Sequence, residues 1–258
     1  MKIAIVTDAW YPQINGVVRT LTKTVEGLKA CAHDVIMITP ETFRTVPCST
    51  YPEIRLSIFP SKRVSAKLRA VGPDCIHIST EGPLGMAARA FARRNQLAFT
   101  TAYHTRFPEY VRSRIRIPLS WTYTFLRWFH SPGNVVMAPT NAVLSDLEKW
   151  RIGNPVIWPC GVDLDLFKPA TSARGTGTKK NPIFINVGRV AVEKNIGAFL
   201  DLDLPGEKWV VGGGPALARM KAHYTGTGFL GQKRWKSFPK YIIRPMCSSF
   251  PVARIRSV

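Results

Sequence analysis

Apolar positions along the chain fall into short gapless runs that alternate with stretches of helical spacing. Lys2 to Thr7 (KIAIVT) is one such run, too short for a helix and unbroken, as in a strand buried on both faces of a parallel sheet. Asp8 to Gly16 (DAWYPQING) breaks the periodicity with a proline and a glycine, and Val18, Leu21, Val25 and Leu28 then recur at helical spacing through Ala30. Further strands are predicted over Asp34 to Thr39 and Glu53 to Phe59, separated by a Pro/Thr/Ser-rich loop, and over Asp74 to Ser79 and Leu97 to Ala102. Between the last two, Leu84, Met86, Ala87, Ala90 and Phe91 make one face of a helix from Pro83 to Arg94. Asn134 to Ala138 is another strand, Thr140-Asn141 caps a helix running through Trp150, and Pro155 to Trp158 is short and extended. This alternation predicts βαβ crossovers and a parallel sheet with helices on both sides.

The pattern then lapses and restarts. Lys168 to Asn181 (KPATSARGTGTKKN) has no large apolar residue, the composition of a linker or surface loop. Pro182 to Val187 is again a buried strand, Gly188-Arg189 a tight turn, Lys194 to Leu200 a short helix and Lys208 to Val211 a strand. Gly212-Gly213-Gly214-Pro215 turns into a helix ending near Tyr224. The expected organisation is α/β: a first Rossmann-like domain over 1–168, a linker over 169–181, and a second, incomplete Rossmann-like domain over 182–231. An anomalous basic tail follows over 232–258.

At 258 residues and 45% hydrophobic, the chain can bury a sizeable core. The apolar run near the N-terminus is too short for a signal peptide, and no stretch approaches the roughly 18 apolar residues of a membrane span, so a cytoplasmic address is expected. Cys31, Cys48, Cys75, Cys160 and Cys247 are odd in number and scattered, which argues against a disulfide framework and a zinc site. The net charge of +20 favours anionic partners. Part of it sits in a stretch from Trp209 to Val258 that has no acid.

Loops at the carboxyl ends of parallel strands are where open α/β sheets bind ligands. Asn15-Gly16 at the first helix start is therefore a candidate anion cradle, or a plain turn in which glycine relieves crowding. His104 follows a strand directly and is either a structural hydrogen-bonding residue or a ligand contact. Arg189 and Lys194 flank another strand-to-helix loop, where two cations suit a diphosphate; a solvated surface pair is the alternative. From Arg112 to Phe129 arginines (Arg112, Arg114, Arg116, Arg127) interleave with Trp121, Tyr123, Phe125, Trp128 and Phe129. Such a stretch either lies on an anionic membrane or packs as a helix by its aromatics.

Taken as an ordered set, D-A-W-Y-P-Q-I-N-G-V-V-R-T at Asp8 to Thr20, T-E-G-P-L-G at Thr80 to Gly85, Y-H-T-R-F-P-E-Y at Tyr103 to Tyr110, A-P-T-N at Ala138 to Asn141, P-C-G-V-D-L-D-L-F-K-P at Pro159 to Pro169 and N-V-G-R-V-A-V-E-K-N at Asn186 to Asn195 resemble the family-four retaining glycosyltransferases (glycosyltransferase group 1). The likeness is to bacterial α-mannosyltransferases and to sulfoquinovosyl- and glucosyl-lipid transferases, and it runs through about Gly231. It implies the two-Rossmann GT-B architecture and transfer of a hexose, with retention, from a nucleoside diphosphate sugar such as GDP-mannose to a lipid or glycan. It places Asn15, Gly16, Arg189, Lys194, Gly212 and Gly214 at the donor, His104 beside the sugar, and Arg106, Arg112, Arg116 and Trp121 on the acceptor or membrane side. The donor is substrate; no metal cofactor and no nucleic-acid partner are expected, and a peripheral place at the inner membrane face is.

Two departures qualify the resemblance. The acidic residue usual in the family's V-G-x-G-P turn is Gly213 here, and after Gly231 the carboxylate-bearing donor segment is missing. Read from the third base of each codon, however, Trp235-Lys236 must encode Glu and Met246-Cys247 must encode Val. The remaining degenerate codons permit Glu-Glu-Leu-Ser and then Ala-Asp-Val-Phe-Val-Phe-Pro-Ser-Arg-Thr-Asp-Thr-Phe-Gly, which is that segment. The expectation is a frame shift near Lys233, an out-of-frame basic tail, an incomplete donor site and little activity in this chain. The rivals are a non-catalytic nucleotide- or membrane-binding protein and, from the charge and interleaved aromatics, a basic nucleic-acid binder.

Overall fold

The computed structural model describes residues 1–13, 15–48, 51–104, 118–161, 164 and 182–232. The linker over 169–181 and the tail from Lys233 onward lie outside them. The chain divides into two compact units, Met1–Gly161 and Val162–Val258.

In the first unit the elements run β1 (Lys2–Val6), α1 (Gly16–Ala30), β2 (Asp34–Ile38), β3 (Thr45–Cys48), β4 (Tyr51–Ser57), α2 (Ser61–Val71), β5 (Cys75–Ile78), α3 (Pro83–Arg94), β6 (Phe99–Ala102), α4 (Leu119–His130), β7 (Val135–Ala138), α5 (Asn141–Lys149) and β8 (Pro155–Ile157). Six strands form one parallel sheet in the order β2-β1-β5-β6-β7-β8. From β1 the chain first steps to β2 on one side and later reaches β5 on the other, so the direction of winding reverses between β1 and β5. In open α/β sheets the ligand crevice lies outside the carboxyl ends of the strands at such a reversal.

Strand parity decides which helix covers which face. Ala4, Val6, Ile76 and Ile78 pack with Val64 and Leu68 of α2 and Leu84, Ala88, Phe91 and Ala92 of α3. Ile5 and Val35 point the other way, against Leu21 of α1. This two-sided burial explains why the strands read as unbroken apolar runs. Around β7, Val136 and Ala138 join Tyr123 and Leu126 of α4 and Leu147 of α5.

Two arginines close helix C-termini, where carbonyls lack intrahelical partners and carry partial negative charge. Buried Arg89 donates to the Phe129 and Trp128 carbonyls at the end of α4, at 3.0 and 2.5 Å, and its guanidinium lies 3.8 Å from the Trp128 ring centroid. Arg127 donates twice to the Trp150 carbonyl just beyond α5, at 3.1 and 2.8 Å.

The sequence reading needs correction between β2 and α2. The Pro/Thr/Ser-rich segment contains β3, and the following strand pairs with it antiparallel instead of entering the main sheet. The hairpin carries Pro47 and Pro52, which suit an isolated ribbon because proline cannot donate to a central ladder.

In the second unit, β9 (Ile183–Val187), α6 (Ile196–Leu200), β10 (Glu207–Val211), α7 (Leu217–His223) and β11 (Gly228–Gly231) appear, the strands forming a parallel sheet in the order β11-β10-β9. The helix expected from Lys194 is interrupted: Val192–Lys194 is a 3-10 turn, and Asn195 at φ 44° separates it from α6. Val190, Ile196, Phe199, Leu200 and Val210 form the core of this unit.

Leu126 is fully buried between α4 and β7. Leu126→Ala is expected to cost about 3 kcal/mol through lost transfer free energy and the cavity left behind, read as a lower denaturant midpoint at unchanged slope.

Candidate functional site at the carboxyl edge of the first sheet

The site is built on the β1/β5 reversal. Asp8, two residues after β1, is buried, and its carboxylate crosses to the loop after β5. It accepts from the Leu84 amide at 3.0 Å, the Gly85 amide at 3.3 Å and the Thr80 hydroxyl at 3.0 Å, while its own amide donates to Thr80 Oγ1 at 2.7 Å. The N-terminal residue of α3 has no side-chain cap, so Asp8 caps that helix from a distant strand. The packing leaves no slack: a Cβ on Gly82 would lie 2.4 Å from Asp8 Cγ, and one on Gly85 1.9 Å from the Thr80 carbonyl. Burial pushes the Asp8 pKa up to about 6, against the three hydrogen bonds, with the Glu81 charge adding to the rise.

Asn15 and Gly16 stand at the exposed start of α1. Asn15 Oδ1 accepts from the Val18 amide at 3.0 Å, and its Nδ2 donates to Gln13 Oε1 at 3.0 Å. Buried Gln13 in turn donates to the Asp8 carbonyl at 3.1 Å. Nothing lies within 4 Å of where a Gly16 Cβ would stand, and the first turn carries no acid. The Val18 amide is taken by Asn15, and the start of the helix is solvent-exposed with no acid beside it, a setting compatible with an anion.

His104 lies two residues beyond β6, half-buried, with its Nε2 enclosed and unpartnered. Its ring is 6.0 Å from Trp158, which also takes the edge of His77 at 5.9 Å. His77 is buried on β5 with Nδ1 2.9 Å from Thr100 Oγ1. Burial depresses both imidazoles, His77 to about 4 with help from the His104 charge; for His104 the Glu81 carboxylate works against the fall. The edge thus presents neutral imidazoles, able to exchange hydrogen bonds with hydroxyl groups.

On the opposite face His130, the last residue of α4, is fully buried with Nδ1 2.8 Å from Thr101 Oγ1 and Nε2 3.3 Å from Glu81 Oε1. Sequence reasoning assigned no role to His77, Glu81, His130 or Trp158. Their relation depends on strand parity and register, and the only signal in the sequence was that His77 and His104 end or follow strands.

The remaining predicted residues are placed as follows. In the second unit Arg189 is half-buried beyond β9, and Lys194 is exposed at the end of the 3-10 turn. Gly212 and Gly214 have φ of 155° and 152°, and a Cβ on them would lie 1.7 Å from the Gly188 carbonyl and 2.3 Å from the Val190 carbonyl. Each is thus required where its backbone packs on the loop bearing Arg189. Trp121 is 72% exposed on the first turn of α4, whose buried side holds Tyr123, Leu126 and Phe129. Arg106, Arg112 and Arg116 lie outside the described residues. Among the described residues no helix is long and apolar enough to cross a membrane.

The architecture is that of GT-B glycosyltransferases. Sucrose-phosphate synthase from Thermosynechococcus elongatus superposes with a TM-score of 0.69 at 19% identity, over 94% of this chain and 73% of that one. HepE from Anabaena, solved with UDP and glucose, gives 0.61 at 15%, over 95% and 72%. The model of glycosyltransferase family 4 matches residues 14–166, more than half of the chain, and the chain belongs to that family. A GDP-mannose-dependent alpha-mannosyltransferase of Mycobacterium tuberculosis is 27% identical over 92% of this chain. The sulfoquinovosyl transferase SQD2 of Arabidopsis thaliana is 26% identical over 72%, and an alpha-monoglucosyldiacylglycerol synthase of Acholeplasma laidlawii 26% over 83%. The chain spans 69%, 41% and 64% of these relatives' lengths.

Asp8 and His77 titrate with opposite signs in one pH window. The folded Asp8 binds its proton more tightly than the unfolded chain, so its contribution to stability declines as pH rises from about 4 to 7, by on the order of 3 kcal/mol. The folded His77 binds its proton less tightly, so its contribution is complete above about pH 7 and is lost as pH falls toward 4. Denaturant unfolding across this range is expected to show wild type losing ground to Asp8→Asn, and gaining on His77→Gln, as pH rises.

Proposed function

We propose that the chain carries the acceptor-side and part of the donor-side machinery of a retaining hexosyltransferase, taking a hexose from a nucleoside diphosphate sugar to a lipid or glycan. The observation that carries this reading is the carboxyl edge at the β1/β5 reversal. There the open N-terminus of α1 and the half-buried His104 stand within the stretch that matches the family model. The relatives named for mannosyl, sulfoquinovosyl and glucosyl-lipid transfer support the class of donor and acceptor. As the glycosidic bond breaks, the diphosphate gains charge, and fixed cations and amides aimed at it stabilise that charge more in the transition state than in the ground state; the groups proposed for this are, in the first unit, the amides at Asn15-Gly16 and, in the second, the cations Arg189 and Lys194. These cations take the place of a metal. His104 lies beside the sugar, where positive character develops at the anomeric carbon.

The experiment measures transfer of labelled mannose from GDP-mannose and of labelled glucose from UDP-glucose to a bacterial lipid extract. It uses both the 258-residue chain and the product of the shifted frame after Lys233. Transfer by either, reduced on the order of 10²-fold or more in kcat by His104→Ala, supports the reading. Absence of transfer in both with a full panel of nucleoside diphosphate hexoses overturns it.

A further inference from the structure

The His104 ring has its Nε2 enclosed and without a hydrogen-bond partner among the described residues. The second side-chain torsion of histidine is broad and roughly twofold, so what packs against such a ring weighs heavily on its tilt. The indole of Trp158 packs against it, with centroids 6.0 Å apart and planes inclined at 57°. Register explains how residues so far apart in the chain meet. His77 pairs with Thr100, Ala102 with Met137 and Met137 with Val156, so these residues point to one side of the sheet. His104 and Trp158 stand two residues beyond Ala102 and Val156 and carry the same alternation past the strand ends.

The same indole is braced from behind. β8 is an edge strand, with β6 and β7 standing between it and β5, yet Trp158 reaches His77 of β5 at 5.9 Å in a T-shaped contact. Its backbone is held for that reach: the Trp158 amide donates to the Ala138 carbonyl at 2.7 Å, and Pro159 after it favours an extended conformation. His77 is a fixed stop, since it is buried and its Nδ1 lies 2.9 Å from Thr100 Oγ1. We propose that Trp158 is a positioning residue for His104: its indole, backed by His77 and Thr100, sets the tilt of the imidazole beside the sugar. The proposal rests on the reading of His104 as the sugar-side residue. An aromatic contact at this separation restrains the ring without occupying either of its nitrogens, which a hydrogen-bonding neighbour would do. The restraint matters because a misplacement of about 1 Å at a reacting centre can cost on the order of 10²-fold in rate.

The chain has five histidines, so proton NMR of the 258-residue protein can follow each ring, with single His→Gln variants and Trp158→Phe giving the assignment. In the unmodified chain, nuclear Overhauser contacts are expected from the Trp158 indole protons to the ring protons of both His77 and His104. Trp158→Leu removes the indole ring current and moves the His104 ring-proton resonances, with those of His33 and His223 unmoved. Absent contacts, or His104 resonances that stay in place in Trp158→Leu, overturn the positioning role. In the transfer assay, Trp158→Ala lowers kcat on the order of 10-fold or more with little change in donor KM, and Trp158→Phe restores part of it. In a His104→Ala background Trp158→Ala has no further effect on kcat, because the two residues act as a unit. A loss confined to donor KM, or one that adds in full to that of His104→Ala, overturns the positioning role and leaves hexosyl transfer standing. Where the ring contacts are present and no chain transfers a hexose, the transfer reading fails and the orientation of His104 by Trp158 stands.

Discussion

The carboxylate of Asp8 is the constraint on which the first domain's working edge depends. A parallel sheet that reverses its winding leaves a seam, and nothing in the β1/β5 ladder itself fixes how the loops beyond the strand ends meet. Asp8 closes the seam by taking the amides of Leu84 and Gly85 and the hydroxyl of Thr80. One residue thereby fixes the direction of α3, the depth of the loop that carries Glu81 and, through Gln13, the approach to α1. The cost is visible in the raised pKa: the group is buried far enough that even three hydrogen bonds do not fully offset lost hydration. Glycines at 82 and 85 are the steric condition for this, since any side chain there would occupy the space of the carboxylate or of the Thr80 carbonyl.

The two faces of the sheet then serve different ends. On the α1 face, His77, Trp158 and His104 gather beside a carboxyl edge, and two imidazole nitrogens remain enclosed without partners. On the α4 face, His130 is hydrogen-bonded to Thr101 of β6, and its Nε2 lies 3.3 Å from Glu81 Oε1. The strand between them is short, Phe99–Ala102, yet it alternates Thr100 toward His77 and Thr101 toward His130. Consecutive threonines in a buried strand are an unusual choice where apolar residues would pack at less desolvation cost. Here each hydroxyl anchors a buried imidazole, Thr100 that of His77 and Thr101 that of His130.

Much of this was legible in the sequence, and the limits are physical. The helix Pro83–Arg94 and the strand at Lys2 could be read because burial on one or both faces imposes a periodicity that local counting detects. The helix Ser61–Val71 escaped because Val64 and Leu68 are its only buried residues and the rest of it is largely polar. The β3–β4 hairpin escaped because prolines in both strands look like loop. The motifs located Asn15, Gly16 and His104 at strand and helix ends, and the structure puts them there. What no linear pattern could give was which distant side chain completes each group, since Asp8 with Leu84 and Glu81 with His130 meet only through strand order.

The glycines show the same division. Gly16, Gly212 and Gly214 all follow strands and all resembled positions where a backbone approaches a phosphate. Gly212 and Gly214 have positive φ, and their missing side chains make room for the carbonyls of Gly188 and Val190, so local packing alone demands glycine there. Gly16 is different: its backbone is helical, its neighbourhood is empty and an alanine would fit without strain. Among the described residues, neither packing nor backbone geometry calls for glycine at position 16.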